Sequence, residues 1–398
     1  MKLHKPIVQA VSEGLEEIFE ENKLADRVVR GQIKKDRRWG SRDRRFIAEC
    51  IYDCVRWWKW YLAIGEIDEQ DPDRFEKVLA IYLQEKKVDF PEWFTPNIPD
   101  FVSIQKNKTK YAADLSCSAS IPDWLNELGH RELGDRWEKE INALNQTTDV
   151  VLRVNTLKTD KTKLKTILAK EGLEVEEIPD FQDALRLKQR RDLSQLKSFK
   201  KGYYEIQDAS SQLVAPFSKV SEGMTVIDAC AGAGGKSLHM AAQMENKGKI
   251  FSLDIEDAKL IELEKRSKRA GTRIVSAHLI YQQQVKKLAE KANVLLIDAP
   301  CSGLGILRRK PDAKWKLSLD KIDEYKTKQE QILEEYQEMV MPGGALVYVT
   351  CSILPSENEK QIENFLAKQN GRYSLEAEKK VWPSEGFDGF YMARLRKL

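Results

Sequence analysis

The stretch MTVIDACAGAGGKS, residues 224–237, decides the fold: apolar and β-branched residues run into a glycine-rich turn, and the turn runs into helix formers. That order opens a strand–turn–helix unit whose first helical amides face a ligand. Working outward, the first strand is expected at 225–229 and its neighbours at 249–254, 274–278, 294–298 and 345–350, with helical stretches between them. Such alternation predicts an α/β protein built on a Rossmann-like, doubly wound parallel sheet. A closing antiparallel pair is expected at 373–377 and 390–395.

Within the turn, Gly232, Gly234 and Gly235 allow a sharp bend and close approach of a ligand to the backbone. Cys230, Ala231, Gly232, Ala233, Gly234, Gly235 and Lys236 are therefore the candidate cofactor loop. The spacing is neither the dinucleotide fingerprint nor a P-loop. Asp254, which closes the next strand in KIFSLDIED (249–257), is placed to accept hydrogen bonds from ribose hydroxyls, which favours an adenosine-bearing cofactor. The competing reading is that the glycines permit close helix–strand packing and Asp254 is a cap.

Two cysteines follow strands in the same half of the chain. VLLIDAPCSGLG (294–305) sets Asp298 and Cys301 at the carboxyl end of a buried strand, where open α/β sheets bind ligands. ALVYVTCS (345–352) sets Cys351 at the end of the strand expected beside it. A free thiol has a pKa of ~8.5, and a nearby cation such as Lys236 raises its thiolate fraction. A lone cysteine is usually a small buried hydrophobe. Two at strand ends beside an Asp point instead to group transfer through a covalent thiol adduct. Cys230 reads as a wall of the cofactor turn.

The rest of the chain bounds the setting. With 66 Lys and Arg against 63 Asp and Glu, the net charge of +3 permits a nucleic-acid partner without demanding one. Six scattered cysteines, with no CxxC pair, argue against zinc and disulfides and for a reducing cytosol. No apolar run approaches the ~18–20 residues of a membrane span, so a cytoplasmic protein without membrane association is expected. Residues 1 to about 100 read as helical, Trp57, Trp58, Trp60 and Tyr61 forming an aromatic knot. The lysine-dotted segment 97–118 reads as a linker, followed by a helix with Ser120 as N-cap and Pro122 in its first turn. DVVLRVNTL (149–157), KTKLKTILAKEG (161–172) and LEVEEIP (173–179) read as strand, helix and strand of a small α/β unit ending near residue 216. Three domains are expected: a helical one with its linker at 1–118, the small α/β unit at 119–216, and the main sheet at 217–398.

Several of these segments together resemble the Nop/Sun family of RNA cytosine-C5 methyltransferases. DACAGAGGKS (228–237), IDAPCSGLGILRRKPDAKW (297–315) and VYVTCSILPSENEKQIENFL (347–366) look like its cofactor, motif IV and motif VI segments. SIPDWL (120–125), LRVNTLK (152–158), YEIQDASSQLVA (204–215) and GFDGFYMARL (386–395) extend the likeness to residues 120–398. RDRRFIAECIYDCVRWW (42–58) is more loosely similar to the antitermination-factor-like domain that bacterial ribosomal members carry in front. The resemblance implies S-adenosyl-L-methionine as methyl donor. It also implies that Cys351 attacks C6 of the cytosine, that Cys301 aids release, that Asp298 holds the base near N3, and that Lys236 favours the thiolate. A DNA methyltransferase would attack with Cys301 instead, but its Glu-Asn-Val segment is absent. Family members usually place an Asp after the third strand for the adenine amino group. Here IVSAHLIYQQQ (274–284) offers no acid, leaving His278, Tyr281 or Gln282 as substitutes.

RNA is the expected partner, ribosomal RNA favoured and tRNA the nearest rival; a non-catalytic RNA-binding assembly factor is the alternative of another class. RRKPDAKWK (308–316) supplies Arg308, Arg309, Lys314 and Trp315 as candidate RNA contacts, Trp315 either stacking on a base or wedging the loop. Arg153 and Asn155 are read as RNA-docking residues of the small α/β unit, and RRWGSRDRR (37–45) as a further cationic candidate. The target base must be unstacked for a thiol to reach C6. The mechanism requires no metal, and a monomer is expected.

Overall fold

The computed structural model describes residues 3–398. Two compact units emerge, one reaching to Gln146 and including Leu307–Leu319, the other comprising Thr147–Ile306 and Asp320–Leu398.

The first unit is helical because its apolar residues recur on one face of each helix. Lys5–Phe19 buries Ile7, Val8, Val11, Leu15 and Ile18, and Ser41–Arg56 buries Ile47, Cys50, Ile51, Cys54 and Val55. Trp58 stacks on Phe19 with centroids 4.2 Å apart, so the aromatic knot packs between helices. The expected linker is instead mostly helical, with Phe101–Tyr111 capped by Asp100 and Leu115–Ser118 capped by Asp114. Only Ile104 and Asn107 of the longer helix are buried, and Asn107 Nδ2 donates to Ile64 O at 3.0 Å. A face that narrow leaves almost no periodic signal. Ser120 is not an N-cap either. It sits at φ +50°, its Oγ accepts from Trp60 N, and Pro122 holds the N-cap position of Asp123–Leu133.

Segment Leu307–Leu319 is locked into this helical unit. Arg56 donates to the carbonyls of Leu307 and Arg308, and Asp312 accepts from Ala25 N at 3.0 Å. Lys314 Nζ donates to Arg56 O at 2.7 Å and to Asn145 Oδ1, while Trp315 Nε1 donates to Val55 O at 2.7 Å. Arg308 and Lys314 are buried, and burial beside the Arg56 cation pushes the Lys314 ammonium well below its ordinary pKa. The expectation that Arg308 and Lys314 face RNA is therefore corrected, since both are buried, and of the two readings of Trp315 the hydrogen bond to Val55 O favours the wedge. Arg309 is half-buried beside them. By contrast, Arg37, Arg42 and Arg44 of the other cationic segment are exposed.

The second unit carries two sheets. The smaller is antiparallel, in the order β2–β3–β1–β4, with β1 Val151–Val154, β2 Val175–Glu177, β3 Ala184–Leu187 and β4 Tyr204–Ile206. Helix Lys161–Lys170, capped by Asp160, packs Leu164 and Leu168 against it. The larger sheet contains β5 Thr225–Asp228, β6 Lys249–Asp254, β7 Val275–Leu279, β8 Ala292–Asp298, β9 Val340–Thr350, β10 Tyr373–Val381 and β11 Phe390–Lys397. Its order is β10–β11–β9–β8–β5–β6–β7; β5 to β9 run parallel, and β10 and β11 antiparallel. Both faces are covered, Ile227, Leu295, Ile297, Leu346 and Tyr348 on one and Val226, Val294, Leu296, Val347 and Val349 on the other. The mostly parallel, Rossmann-like sheet is as the sequence predicts.

Register positions the chemistry. Asp298 of β8 lies opposite Val349 of β9, so the two strands end level and the loops bearing Cys301 and Cys351 leave side by side.

Candidate active site

The glycine-rich turn leaves β5 and is held from several sides. Ala231 N donates to Leu253 O, and Gly232 N donates to Asp254 Oδ2, both at 2.8 Å. Gly234 has φ +82°, and a Cβ there would lie 2.5 Å from Leu263 Cγ, so only glycine fits. A Cβ on Gly232 would meet nothing within 4 Å, so the backbone on that side is open to a ligand. Helix Gly235–Gln243 then begins. Its Ser237 Oγ donates to Asp228 Oδ2 at 2.6 Å and accepts from Ser252 Oγ. Burial raises the Asp228 carboxyl to about 7.

Behind the turn stands a cationic brace. Arg266 Nη1 donates to Ala233 O at 2.8 Å and pairs with buried Glu205, which also takes Arg269. Arg153 Nη1 donates to Gly235 O at 2.5 Å and to Gln207 Oε1 at 2.6 Å. Asn155 Nδ2 donates to Gly202 O at 2.7 Å and Ala270 O at 2.8 Å. Both residues are buried and engaged. The RNA-docking reading of Arg153 and Asn155 is therefore corrected: they fasten the small sheet to the cofactor-turn side of the large one. A polar pair on a strand looks alike in sequence whether it faces solvent or bridges two sheets.

Asp254 holds the turn with one oxygen and the N–H of Glu256 with the other, at 2.9 Å. The next residue, Ile255, is two-thirds exposed, an apolar platform that sequence reading passed over although its position after the strand-end acid was the signal. His278, on the edge strand, is exposed, its ring centroid 6.0 Å from Phe251. With Tyr281 and Asp257 it lines an open pocket of about 360 Å³. Cys230 is half-buried against the core below the turn, where burial pushes its thiol upward.

At the strand ends the remaining groups converge. Lys236 Nζ donates to Asp298 Oδ2 at 2.5 Å and lies 5.4 Å from the Phe390 ring centroid. Burial opposes its charge, but Asp298 and Cys351 favour it, and the net effect raises its pKa. Cys301 Sγ and Cys351 Sγ are 3.4 Å apart. The hydrogen bond to Cys351, reinforced by burial, pushes the Cys301 thiol well up; either sulfur can be the donor of that contact. The two loops are further tied by the buried carboxylate of Glu357, which sequence reading did not single out. Among the described residues no group of three or more His, Cys, Asp or Glu could hold a metal ion, and no helix is long and apolar enough to cross a membrane.

Comparison with known proteins bears on this arrangement. The family model described as 16S rRNA methyltransferase RsmB/F matches residues 216–396, and that of the RsmF/B-like ferredoxin-like domain matches residues 121–194. "Ribosomal RNA small subunit methyltransferase B" of Pasteurella multocida is 36% identical over 294 residues, 70% of this chain and 65% of that protein. "Probable ribosomal RNA small subunit methyltransferase B" of Bacillus subtilis is 32% identical over 320 residues, 75% of this chain and 70% of that protein. The chain thus spans about two thirds of the length of such relatives. The crystal structure of PH0851 superposes with a TM-score of 0.83 over 100% of both chains at 24% identity, a likeness of fold.

Proposed function

From the premise that this chain belongs to the 16S rRNA methyltransferase RsmB/F family, we propose that it methylates C5 of a cytosine in small-subunit ribosomal RNA, with S-adenosyl-L-methionine as donor. The observation carrying this reading is the pair of sulfurs 3.4 Å apart beside the Lys236–Asp298 pair, at the ends of adjacent parallel strands. Relatives named for small-subunit ribosomal RNA favour that RNA over tRNA.

The turn residues fit the donor. The open side of Gly232 admits a ligand against the backbone, and the Gly235 amide at the start of the helix would meet its carboxylate. Asp254, whose oxygens take Gly232 N and Glu256 N, keeps a further lone pair on each for the ribose hydroxyls. Ile255 would support the adenine face, and His278, Tyr281 or Gln282 would reach its rim. When bound, S-adenosyl-L-methionine supplies an electrophilic methyl group.

The chain's own residues do the rest. C5 of cytosine is a poor nucleophile until the ring becomes an enamine. The Cys351 thiol gives its proton to the Asp298 carboxylate, which Lys236 holds in place and which passes that proton to N3 as the sulfur adds to C6. C5, made nucleophilic in this way, would accept the methyl group, the donor's sulfur keeping the electron pair of the broken sulfur–methyl bond. Solvent water takes the C5 proton, the C5–C6 double bond re-forms, and the bond from C6 to Cys351 breaks with Cys301 assisting, the N3 proton returning through Asp298 to the Cys351 sulfur. Lys236 meets the anionic sulfur before and after this cycle, in a site where burial strengthens each charge interaction.

Bisulfite sequencing of small-subunit RNA from cells with and without the gene tests the proposal. A single cytosine protected only when the gene is present is the expected result; an unchanged protection pattern contradicts it.

A further inference from the structure

Glu357 is fully buried, and no cation pairs with it among the described residues. Its Oε1 accepts from Ser302 N at 2.8 Å and Gln329 Nε2 at 3.1 Å; its Oε2 accepts from Ser302 Oγ and Ser352 Oγ, each at 2.5 Å. Ser302 directly follows Cys301, and Ser352 directly follows Cys351. One carboxylate therefore binds the residue after each sulfur. The same hydroxyls accept from Leu304 N and Leu354 N, which fixes the next turn of each loop. Gln329 Nε2 also donates to Pro300 O at 2.9 Å, tying the residue before Cys301 to the same group.

Burying a carboxylate among neutral donors is a costly way to fill a core. An apolar side chain would pack the site at lower cost but could not hold two loops at a set spacing. We propose that Glu357 is a positioning residue: it clamps the two cysteine loops so that the sulfurs stay within contact of each other. The clamp itself is a matter of geometry; its catalytic consequence rests on the roles proposed above for Cys351 and Cys301. A nucleophile and its release partner must act on one ring in turn, and a displacement of ~1 Å in such a site costs on the order of 100-fold in rate.

The test uses the full chain with Glu357→Ala and Glu357→Gln, and two readouts. The first needs no RNA. Diamide oxidises two neighbouring thiols to a disulfide, taking up two electrons and two protons to become the hydrazine. The Cys301–Cys351 linked peptide is followed by mass spectrometry. The second is single-turnover methyl transfer to an unmethylated small-subunit rRNA transcript, alongside the Kd for S-adenosyl-L-methionine. Glu357→Ala is expected to slow disulfide formation about tenfold or more and methyl transfer on the order of 100-fold, with cofactor Kd within about twofold. Glu357→Gln should fall between, at least about threefold slow in both, because its amide oxygen can keep Ser302 N while the two hydroxyls turn to accept from its NH₂. Wild-type rates in both readouts for a folded Glu357→Ala overturn the proposal. If that variant does not fold, wild-type rates for Glu357→Gln overturn it equally. A wild-type protein that links its cysteines but transfers no methyl group contradicts the proposed function and leaves the clamp standing.

Discussion

Replacing Lys236 by Met keeps the length of the side chain and removes its charge and its donors. Lys236 Nζ is 2.5 Å from Asp298 Oδ2, and both side chains are at least two-thirds buried. A hydrogen bond between charged groups contributes about 1.5–3 kcal/mol. At 1.36 kcal/mol per tenfold, that is roughly a ten- to 150-fold loss in kcat if the contact is needed only when the ring is activated. The ammonium pKa is raised, so the charge contributes fully below the ordinary lysine value and fades only as pH rises past the folded one. The wild-type to Lys236→Met ratio should accordingly be flat between pH 6 and 9. Single-turnover transfer on an rRNA transcript gives kcat, and calorimetric titration gives the Kd for S-adenosyl-L-methionine. A variant within about twofold of wild-type kcat, or a loss confined to cofactor affinity, refutes this account of Lys236.

The buried Asp228 carboxyl, raised from 3.8 to about 7, should make its contribution to stability largest below pH 4 and reduce it progressively up to pH 7. Asp228→Asn should therefore gain on wild type between pH 4 and pH 8 by up to ~4 kcal/mol in urea unfolding; equal pH profiles contradict the burial argument. Lys314→Met should leave the slope of log affinity for RNA against log salt unchanged, whereas a phosphate contact would lower it by about one. Gly234→Ala, strained by its φ of +82° and by Leu263, should lose ~2 kcal/mol or more in stability and weaken cofactor binding. Adding Leu263→Ala should relieve the clash with Leu263 Cγ but not the backbone strain, and a Gly234→Ala variant as stable as wild type contradicts both.

How much of this was legible depended on whether a signal was local. The large sheet announced itself because β5, β6, β8 and β9 are apolar runs ending in Asp, Cys or a glycine turn, and the observed bounds differ from expectation by a few residues. Strands β3 and β4, of four and three residues, are too short to show alternation. The polar helix Phe101–Tyr111 buries two residues and so passes for a linker. Burial of polar groups was the least legible of all. Arg153, Asn155, Arg308 and Lys314 are cations and an amide that sequence alone assigns to the surface. The partners of Arg153, Asn155 and Lys314, which are Gly235 O, Gly202 O, and Arg56 O with Asn145, lie tens to hundreds of residues away. The two sulfurs, also distant in sequence, were placed together because strand order and register dictate it.

The central claim, a bond from the Cys351 sulfur to C6 that Cys301 helps to break, is tested most directly by trapping. Cys301→Ala, incubated with S-adenosyl-L-methionine and small-subunit rRNA transcript, should accumulate an RNA–protein complex that survives denaturing electrophoresis, and Cys351→Ala should form none. A complex that persists in Cys351→Ala and vanishes in Cys301→Ala would contradict the account.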